Sequence, residues 1–549
     1  MRYLGYKNNT KALVGLITLF YASSSIIPTV AQTTSSESAK ETTSNLVLPD
    51  NPLSLKEVAQ ITLENSSAIL QARLTAEMTK AGYRIAKGQF NLTTSVSSGV
   101  TRSRPLPVGG LPDNNSQNLN GTLSKFFRSG IQSSLTIGTN NQDFLALNPP
   151  PLVDKNTATT NLNVTFPLLK GRGYASAAAN ETAAKQESQA GEFTFYHNVS
   201  SVLKEAINAY WTYKAAIYKA KTQQESEERV LKWAEEAGKA ALQQEKNPQQ
   251  VGKKYASEIS YLEGYLADKR RNIIESTRQV DTAKGALAIT MGIPAEQLSQ
   301  IGFPAEEFPG DWRAVLIQLE QHPMQAKWQK IAMDKRFDLQ ASKLQQQSAM
   351  TKLTKARQDI LPQLDAGLTY SYNSLEFGNG LDRYSFTSDM RGNDTMVSLN
   401  FIYPLGNDTA KGQRDLASAT YQIQTSQVNN LTRTIYLQID TATTELMGRL
   451  KAVEGARKAI ETYLPSVEKL KQANQNLAVN PGAIVNLIEL EDRLNQAGLD
   501  YIDALLGLAQ AVTELRFQTG TLITPSQTEA QTITLEDNLT KLPGIQNNL

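Results

Sequence analysis

The chain contains no cysteine among its 549 residues. That removes disulfides, thiolate metal sites, cysteine nucleophiles and lipidation of an N-terminal cysteine. Only two histidines occur, His197 and His322, far apart in sequence. His197 lies in a helical stretch between Tyr196 and Asn198, and His322 precedes Pro323 near a helix start, so both read as surface or capping residues. No Gly-x-x-x-x-Gly-Lys-Ser/Thr loop is present, and Gly171-Arg172-Gly173 is too short to cradle a phosphate. The chain therefore reads as a non-enzyme with no cofactor and no metal. Charge of one sign is also missing. With 55 Lys+Arg against 53 Asp+Glu, the net charge of +2 offers nothing to recruit nucleic acid. Long apolar runs are absent as well. Apolar residues make up 40% of the chain, yet nowhere do they approach the roughly 18 in succession that a spanning helix needs.

What is present begins with an export pattern. Lys7 and Lys11 precede a short apolar core, Ala12 to Phe20, and Pro28-Thr29-Val30-Ala31 supplies small residues before Gln32. Residues 1–31 are expected to be a signal peptide, because the apolar core is about half the length of a membrane span. Residues 32–50, rich in Ser, Thr and Glu, are expected to form a flexible segment.

Ser54-Leu55-Lys56-Glu57 has capping-box order and should start a helix that runs to about Phe90. Alternation with period two follows. Leu92, Thr94, Val96, Ser98 and Val100 fall on one face; Thr93, Ser95, Ser97 and Gly99 fall on the other. The habit returns at Leu119–Leu123, Ile131–Ile137, Leu162–Phe166, Leu364–Tyr372 and Val397–Tyr403. A soluble sandwich also alternates. Here the second face is small and uncharged, and aromatics gather near strand ends (Tyr370, Tyr372, Tyr384, Phe386, Tyr403), which suits an outer-membrane barrel.

Proline is absent from Gly171 to Lys246, and Asp408 to Val479 holds only Pro465. Each stretch predicts a helix of roughly seventy residues, on the order of 100 Å long. Asn247-Pro248 and Asn480-Pro481-Gly482 then reverse the chain into returning helices about half as long. A long helix could therefore be flanked by two shorter ones stacked end to end. The chain thus reads as an internal twofold repeat. Residues 51–291 form repeat 1, with a helix, strands over about 91–166 and a long helical hairpin over 171–291. Residues 292–311 form an equatorial linker. Residues 312–519 form repeat 2, with a helix, strands over about 363–403 and a hairpin over 407–519, and 520–549 form a C-terminal tail. The aromatic run Tyr210, Trp211, Tyr213 and Tyr218 reads as packing.

Three features, in the same order in both halves, resemble the TolC-type outer-membrane efflux proteins (outer membrane factors) over about residues 50–520. The opening helices carry Leu63-Glu64-Asn65 with Ala72, and Leu319-Glu320-Gln321-His322-Pro323 with Ala326. The strand-to-helix junctions are Phe166-Pro167-Leu168-Leu169-Lys170-Gly171-Arg172-Gly173 and Tyr403-Pro404-Leu405-Gly406. The helix after each Asn-Pro turn carries acidic and aliphatic residues before a run ending in Leu.

The resemblance implies a mainly α fold with β: long antiparallel helical hairpins forming an α-barrel, with strands contributing to a trimeric transmembrane β-barrel. It implies a homotrimer in the outer membrane of a Gram-negative-type cell, with a tunnel reaching across the periplasm. The function implied is that of a passive exit duct for efflux or type I secretion, working with a periplasmic adaptor and an inner-membrane transporter. In the family, carboxylates at the tunnel tip constrict the entrance. Matching that motif places Asn486 where the first aspartate usually stands and Glu489 at the second, with Glu258 a weaker candidate in the first half. Gly482 stands where an arginine that latches the tip can occur. Asn247, Pro248, Asn480, Pro481 and Gly482 are the implied adaptor-docking residues. The simple family pattern has two strands per half. The stretch of about 105–156, with Phe126-Phe127-Arg128-Ser129-Gly130 as a turn, adds a hairpin that lies either in the barrel wall or outside it. The alternative is a periplasmic or surface coiled-coil structural or adaptor protein.

Overall fold

The computed structural model describes residues 52–103, 114–144, 155–244, 256–310, 312–377, 390–473, 481–525, 533–535 and 541–543. The expected signal peptide and flexible segment, and Asn247, Pro248 and Asn480, lie outside the described residues.

Ser54 caps helix α1 (Leu55–Asn65) with the expected box. Its hydroxyl accepts from the Glu57 N–H, and the Glu57 carboxylate accepts from the Ser54 N–H. The helix does not run unbroken to Phe90. Ser66 is extended (ψ 120), and a second helix, α2, spans Ser67–Gly88. Four strands follow: β1 (Leu92–Ser103), β2 (Asn114–Phe126), β3 (Gln132–Phe144) and β4 (Lys155–Pro167). Then come α3 (Ala179–Gln244), α4 (Ala256–Met291) and a 3-10 turn at Ala295–Gln300. The next helical stretch is broken twice, into α5 (Trp312–Gln321), α6 (Gln325–Lys335) and α7 (Phe337–Gln358). Strands β5 (Gln363–Phe377) and β6 (Met390–Ile402) precede α8 (Asp408–Ala473) and α9 (Pro481–Gln518). Two short strands, β7 (Ile523–Pro525) and β8 (Ile533–Leu535), pair with each other.

Helices α3 and α8 have 66 residues each, about 100 Å of rod. Helix α8 continues through Pro465. Each rod is flanked by shorter helices. One end of α3 lies against α2, where a Cβ on Gly191 would collide with Thr79 Oγ1. The other end lies against α4, joined by Arg270 to Glu227 at 3.1 Å. Along α8, α7 packs near Thr425 through a hydrogen bond from Gln346 (3.0 Å), and α9 packs near Val467.

The joints between stacked helices are tight. Gly292 ends α4 at φ +73, and a Cβ there would sit 2.5 Å from the Asn65 carbonyl, at the break between α1 and α2. Gly520 follows α9 at φ +68, and a Cβ there would sit 2.9 Å from the Lys335 backbone, at the break between α6 and α7. Only glycine tolerates that backbone at so close an approach. The helix breaks missed in the sequence are thus the seats for these two glycines. Arg336 fills the second break. Its guanidinium forks onto Asp338 and also donates to Gln438 and Gln518, tying α7, α8 and α9 together.

Apolar burial lies between the rods rather than in one globular centre. Trp312, Leu316, Trp328, Ile435, Ile439, Leu446, Leu508 and Leu515 form one such cluster. The tail adds Leu542, and Trp328 donates its indole N–H to the Pro543 carbonyl at 3.0 Å. The linker wraps α1 and α3. Phe308 stacks on Trp211 at 5.3 Å, and Tyr210, Trp211 and Tyr213 are buried. His197 is half-buried against Phe517 rather than on the surface, and burial lowers its pKa.

Candidate functional site

Two regions carry the chemistry. The first is the sheet. Its six strands run in the order β1-β2-β3-β4-β5-β6, all antiparallel. Antiparallel register aligns alternate residues into rows. One row reads Thr94, Leu123, Leu135, Leu162, Tyr370, Thr395; the next toward the helices reads Leu92, Lys125, Ser133, Val164, Leu368, Val397. Phe166, Ala366 and Leu399 continue this face. At the far end it becomes charged, with Arg102, Glu376 and Arg391. Many of its apolar side chains are open: Val96 is 60% exposed, Val397 78% and Leu399 68%. Open apolar side chains grouped on one face mark an interaction surface.

The opposite face is mostly small and polar on β1–β4, with Leu375, Met390, Met396 and Ile402 as apolar members on β5 and β6. One of its rows reads Ser95, Thr122, Thr136, Asn161, Ser371, Asp394. The Thr122 and Thr136 hydroxyls share a hydrogen bond of 3.0 Å. Asn118 lies over Gly99 and Asn120 over Gly138, positions where a Cβ would collide with the amide. A cavity of about 400 Å³ is lined there by Thr93, Ser124, Gln132, Ser134, Asn163 and Thr165. No helix among the described residues is long and apolar enough to cross a membrane.

The second region is the polar junction near the ends of the rods. Four helices converge on an apolar cluster of Val230, Trp233, Val467, Leu487 and Leu494, with Leu262 and Tyr265 packed against it. Within it α9 presents two adjacent carboxylates in different directions. Glu491 is fully buried. It accepts from Ser226 Oγ at 2.9 Å and from Arg229 Nη2 at 2.8 Å, both on α3. Asp492 accepts from Tyr265 OH at 2.6 Å and Lys269 Nζ at 2.8 Å, both on α4. Burial, and then the hydrogen bond to Asp492, push the Tyr265 phenol well above its ordinary range, so it stays a donor. Further along, Asn495 donates to Gln223, Asp503 pairs with Lys219 and Glu514 with Lys204. Helix α9 is thus fastened along α3 by polar pairs.

Asn486 and Glu489 stand one turn apart on the exposed side of α9, away from this junction. Glu489, 63% exposed, pairs with Arg493 of its own helix at 2.9 Å. Pro481 and Gly482 are the first two residues of α9, and Glu258 lies in the first turn of α4; the side chains of all three lie outside the described residues. The sequence pointed to Glu489 and passed over Glu491 and Asp492, since a carboxylate on a polar helix reads as solvated. The nearby leucines at 487, 490 and 494 are the signal that position 491 shares the buried stripe. Among the described residues no cluster of His, Cys, Asp or Glu could hold a metal ion.

This architecture matches solved outer-membrane channels. It aligns with the outer membrane protein VceC of Vibrio cholerae at 14% identity and TM-score 0.59, covering 85% of this chain and 96% of that one. It aligns with the Campylobacter jejuni CmeC outer membrane channel at 15% identity and TM-score 0.57, covering 85% of each chain. For the open state of the Neisseria gonorrhoeae MtrE outer membrane channel the values are 18% and 0.54, with 85% and 88% covered. No protein-family model and no curated protein matches the sequence. The likeness is one of fold: mostly helical with an antiparallel sheet, as in these outer-membrane efflux channels.

Proposed function

We propose that this chain is the outer-membrane exit duct of a tripartite efflux or type I secretion system: a passive homotrimeric channel with a periplasmic extension. The observation that carries the reading is the two-faced sheet. An open, largely apolar face and a largely polar face on the same strands suit a wall with lipid outside and water inside. The sheet also has two bare edges. Strands β1 and β6 run in opposite directions, hold no proline and are open along most of their length. Such edges pair with another copy or aggregate. Three copies joined β1 to β6 would close the wall, and the rods would line a tunnel.

In this reading the Arg229–Glu491 and Lys269–Asp492 pairs hold α9 against α3 and α4 at the periplasmic entrance. Opening would be a hinge-like release of α9 from those helices. The Asn486 and Glu489 stripe faces the axis, where three Glu489 carboxylates would favour cations. The helix ends around Asn247–Pro248 and Asn480–Gly482 dock a periplasmic adaptor, which couples the duct to an inner-membrane transporter. The chain performs no chemistry of its own.

The rival reading, a periplasmic or surface coiled-coil protein, leaves the apolar sheet face without an occupant. Membrane fractionation with a heat-modifiability gel, followed by single-channel recording in planar bilayers, separates the two. A heat-sensitive oligomer that conducts ions supports the duct; a soluble monomer removes it.

A further inference from the structure

The β2–β3 hairpin is continuous with the rest of the sheet. Strand β2 pairs with β1 from Lys125 opposite Leu92 to Asn114 opposite Ser103. Strand β3 pairs with β4 from Thr165 opposite Gln132 to Lys155 opposite Gln142. The hairpin keeps the facial order of its neighbours. Leu119, Leu123, Leu135 and Ile137 fall on the apolar side; Asn120, Thr122, Ser134 and Thr136 fall on the polar side. A slip of one residue would have reversed this. Each of its strands has 13 residues, more than the 9–11 that a tilted strand needs to cross a bilayer.

Its turn is fastened to the helices. Phe126 stacks on Phe90 at 5.5 Å, and Arg128 lies over the Phe90 ring at 4.7 Å. The Arg128 guanidinium forks onto Glu181 in the first turn of α3, with both bonds at 2.6 Å. Gly173 donates its N–H to the Ser129 carbonyl at 2.9 Å. A hairpin lying outside the wall would need neither this register nor this anchorage.

We infer that the hairpin is part of the membrane wall, so that each copy contributes six strands. The inference rests on the trimeric duct reading above. Six strands from each of three copies give an eighteen-stranded barrel, where two strands per half would give twelve. Barrel diameter grows roughly linearly with strand number, so the outlet is about one and a half times as wide. Barrels of about 16–18 strands leave an open aqueous channel. The outlet lining is mainly Ser, Thr, Asn and Gly, so it suits bulky cargo chosen by the transporter rather than by charge at the exit.

The absence of cysteine allows a direct test in the full-length protein in its native membrane. Single variants Ser134→Cys and Leu135→Cys on β3, with Thr369→Cys and Leu368→Cys on β5, are treated with a membrane-impermeant charged maleimide. Ser134→Cys and Thr369→Cys should label rapidly. Leu135→Cys and Leu368→Cys should stay protected until detergent is added. If the β5 pair alternates while the two β3 variants label alike, the hairpin lies outside the wall and the inference fails, with the duct reading intact. If the β5 pair does not alternate, the duct reading fails and the inference with it. As a second measurement, end-on electron micrographs of a variant lacking residues 104–145 should show the barrel narrowed to about two thirds of its diameter. An unchanged diameter would overturn the wider wall.

Discussion

Arg229 and Glu491 join α3 to α9 by a forked ion pair whose carboxylate is fully buried, with Nη2 and Oε1 2.8 Å apart. Truncating Arg229 to Ala leaves a buried carboxylate with Ser226 as its remaining partner among these bonds. The expected cost is about 2 kcal/mol, lessened because the arginine is one-third exposed. If this pair holds the tunnel entrance, Arg229→Ala should raise the open-channel fraction in bilayer recordings, and Arg229→Glu with Glu491→Arg should restore part of the closed state. Unchanged gating in Arg229→Ala would remove the pair from the latch.

The two helix joints predict a glycine test. Gly292→Ala and Gly520→Ala each combine positive φ with a Cβ closer than 3.0 Å to backbone. Each should cost on the order of 1–3 kcal/mol, read as a lower Tm. Gly264 in α4 has open space around its Cβ position, so Gly264→Ala should hold or raise Tm by the helix-propensity gain, about 0.5–1 kcal/mol. Equal effects at the three positions would show that the joints are not close-packed.

Acid should act on two ion pairs. The Arg128 hydrogen bonds hold Glu181 below its ordinary value of 4.5. Burial would raise Asp338, but the hydrogen bonds and charge of Arg336 outweigh it and hold it below its ordinary 3.8. A carboxylate with a depressed folded-state pKa binds its proton more readily unfolded. Its contribution is fully present above the ordinary value and is lost as pH falls through the folded-state value. Unfolding midpoints should therefore fall gently below about pH 6.5, where His197 gains a proton only on unfolding, and more steeply below about pH 4.5. Glu181→Gln should shallow the fall; the same slope in that variant would exclude the pair as its source.

Glu489 tests the entrance field. Glu489→Gln removes an exposed carboxylate paired only within its helix, so folding should change by less than about 0.5 kcal/mol. If three such carboxylates ring the entrance, the variant should lose cation preference and resist block by multivalent cations in single-channel recordings. Identical selectivity would leave Glu489 as a solvated helix charge.

Much of the architecture was legible in the sequence because it rests on period and punctuation. Alternation at Leu92–Val100 and Val397–Tyr403 marked strands, and the proline-free stretches marked α3 and most of α8. Ser54 and Glu57 fixed the start of α1. The breaks at Ser66 and Arg336 were not legible, because Ser and Arg are tolerated inside helices and no proline or glycine marks the spot. At each break a glycine from elsewhere in the chain, Gly292 or Gly520, packs against the backbone.

The sequence by itself determined the classes of element: strands whose residues alternate between two faces, and rods too long for a globular core. These follow from residue order within a single segment. Only the tertiary structure decided that β2 and β3 sit between β1 and β4, that Glu491 rather than Glu489 is buried on Arg229, and that glycines seat the helix ends. Each depends on which segments meet, and residues far apart in sequence meet through packing and charge complementarity that no local pattern records.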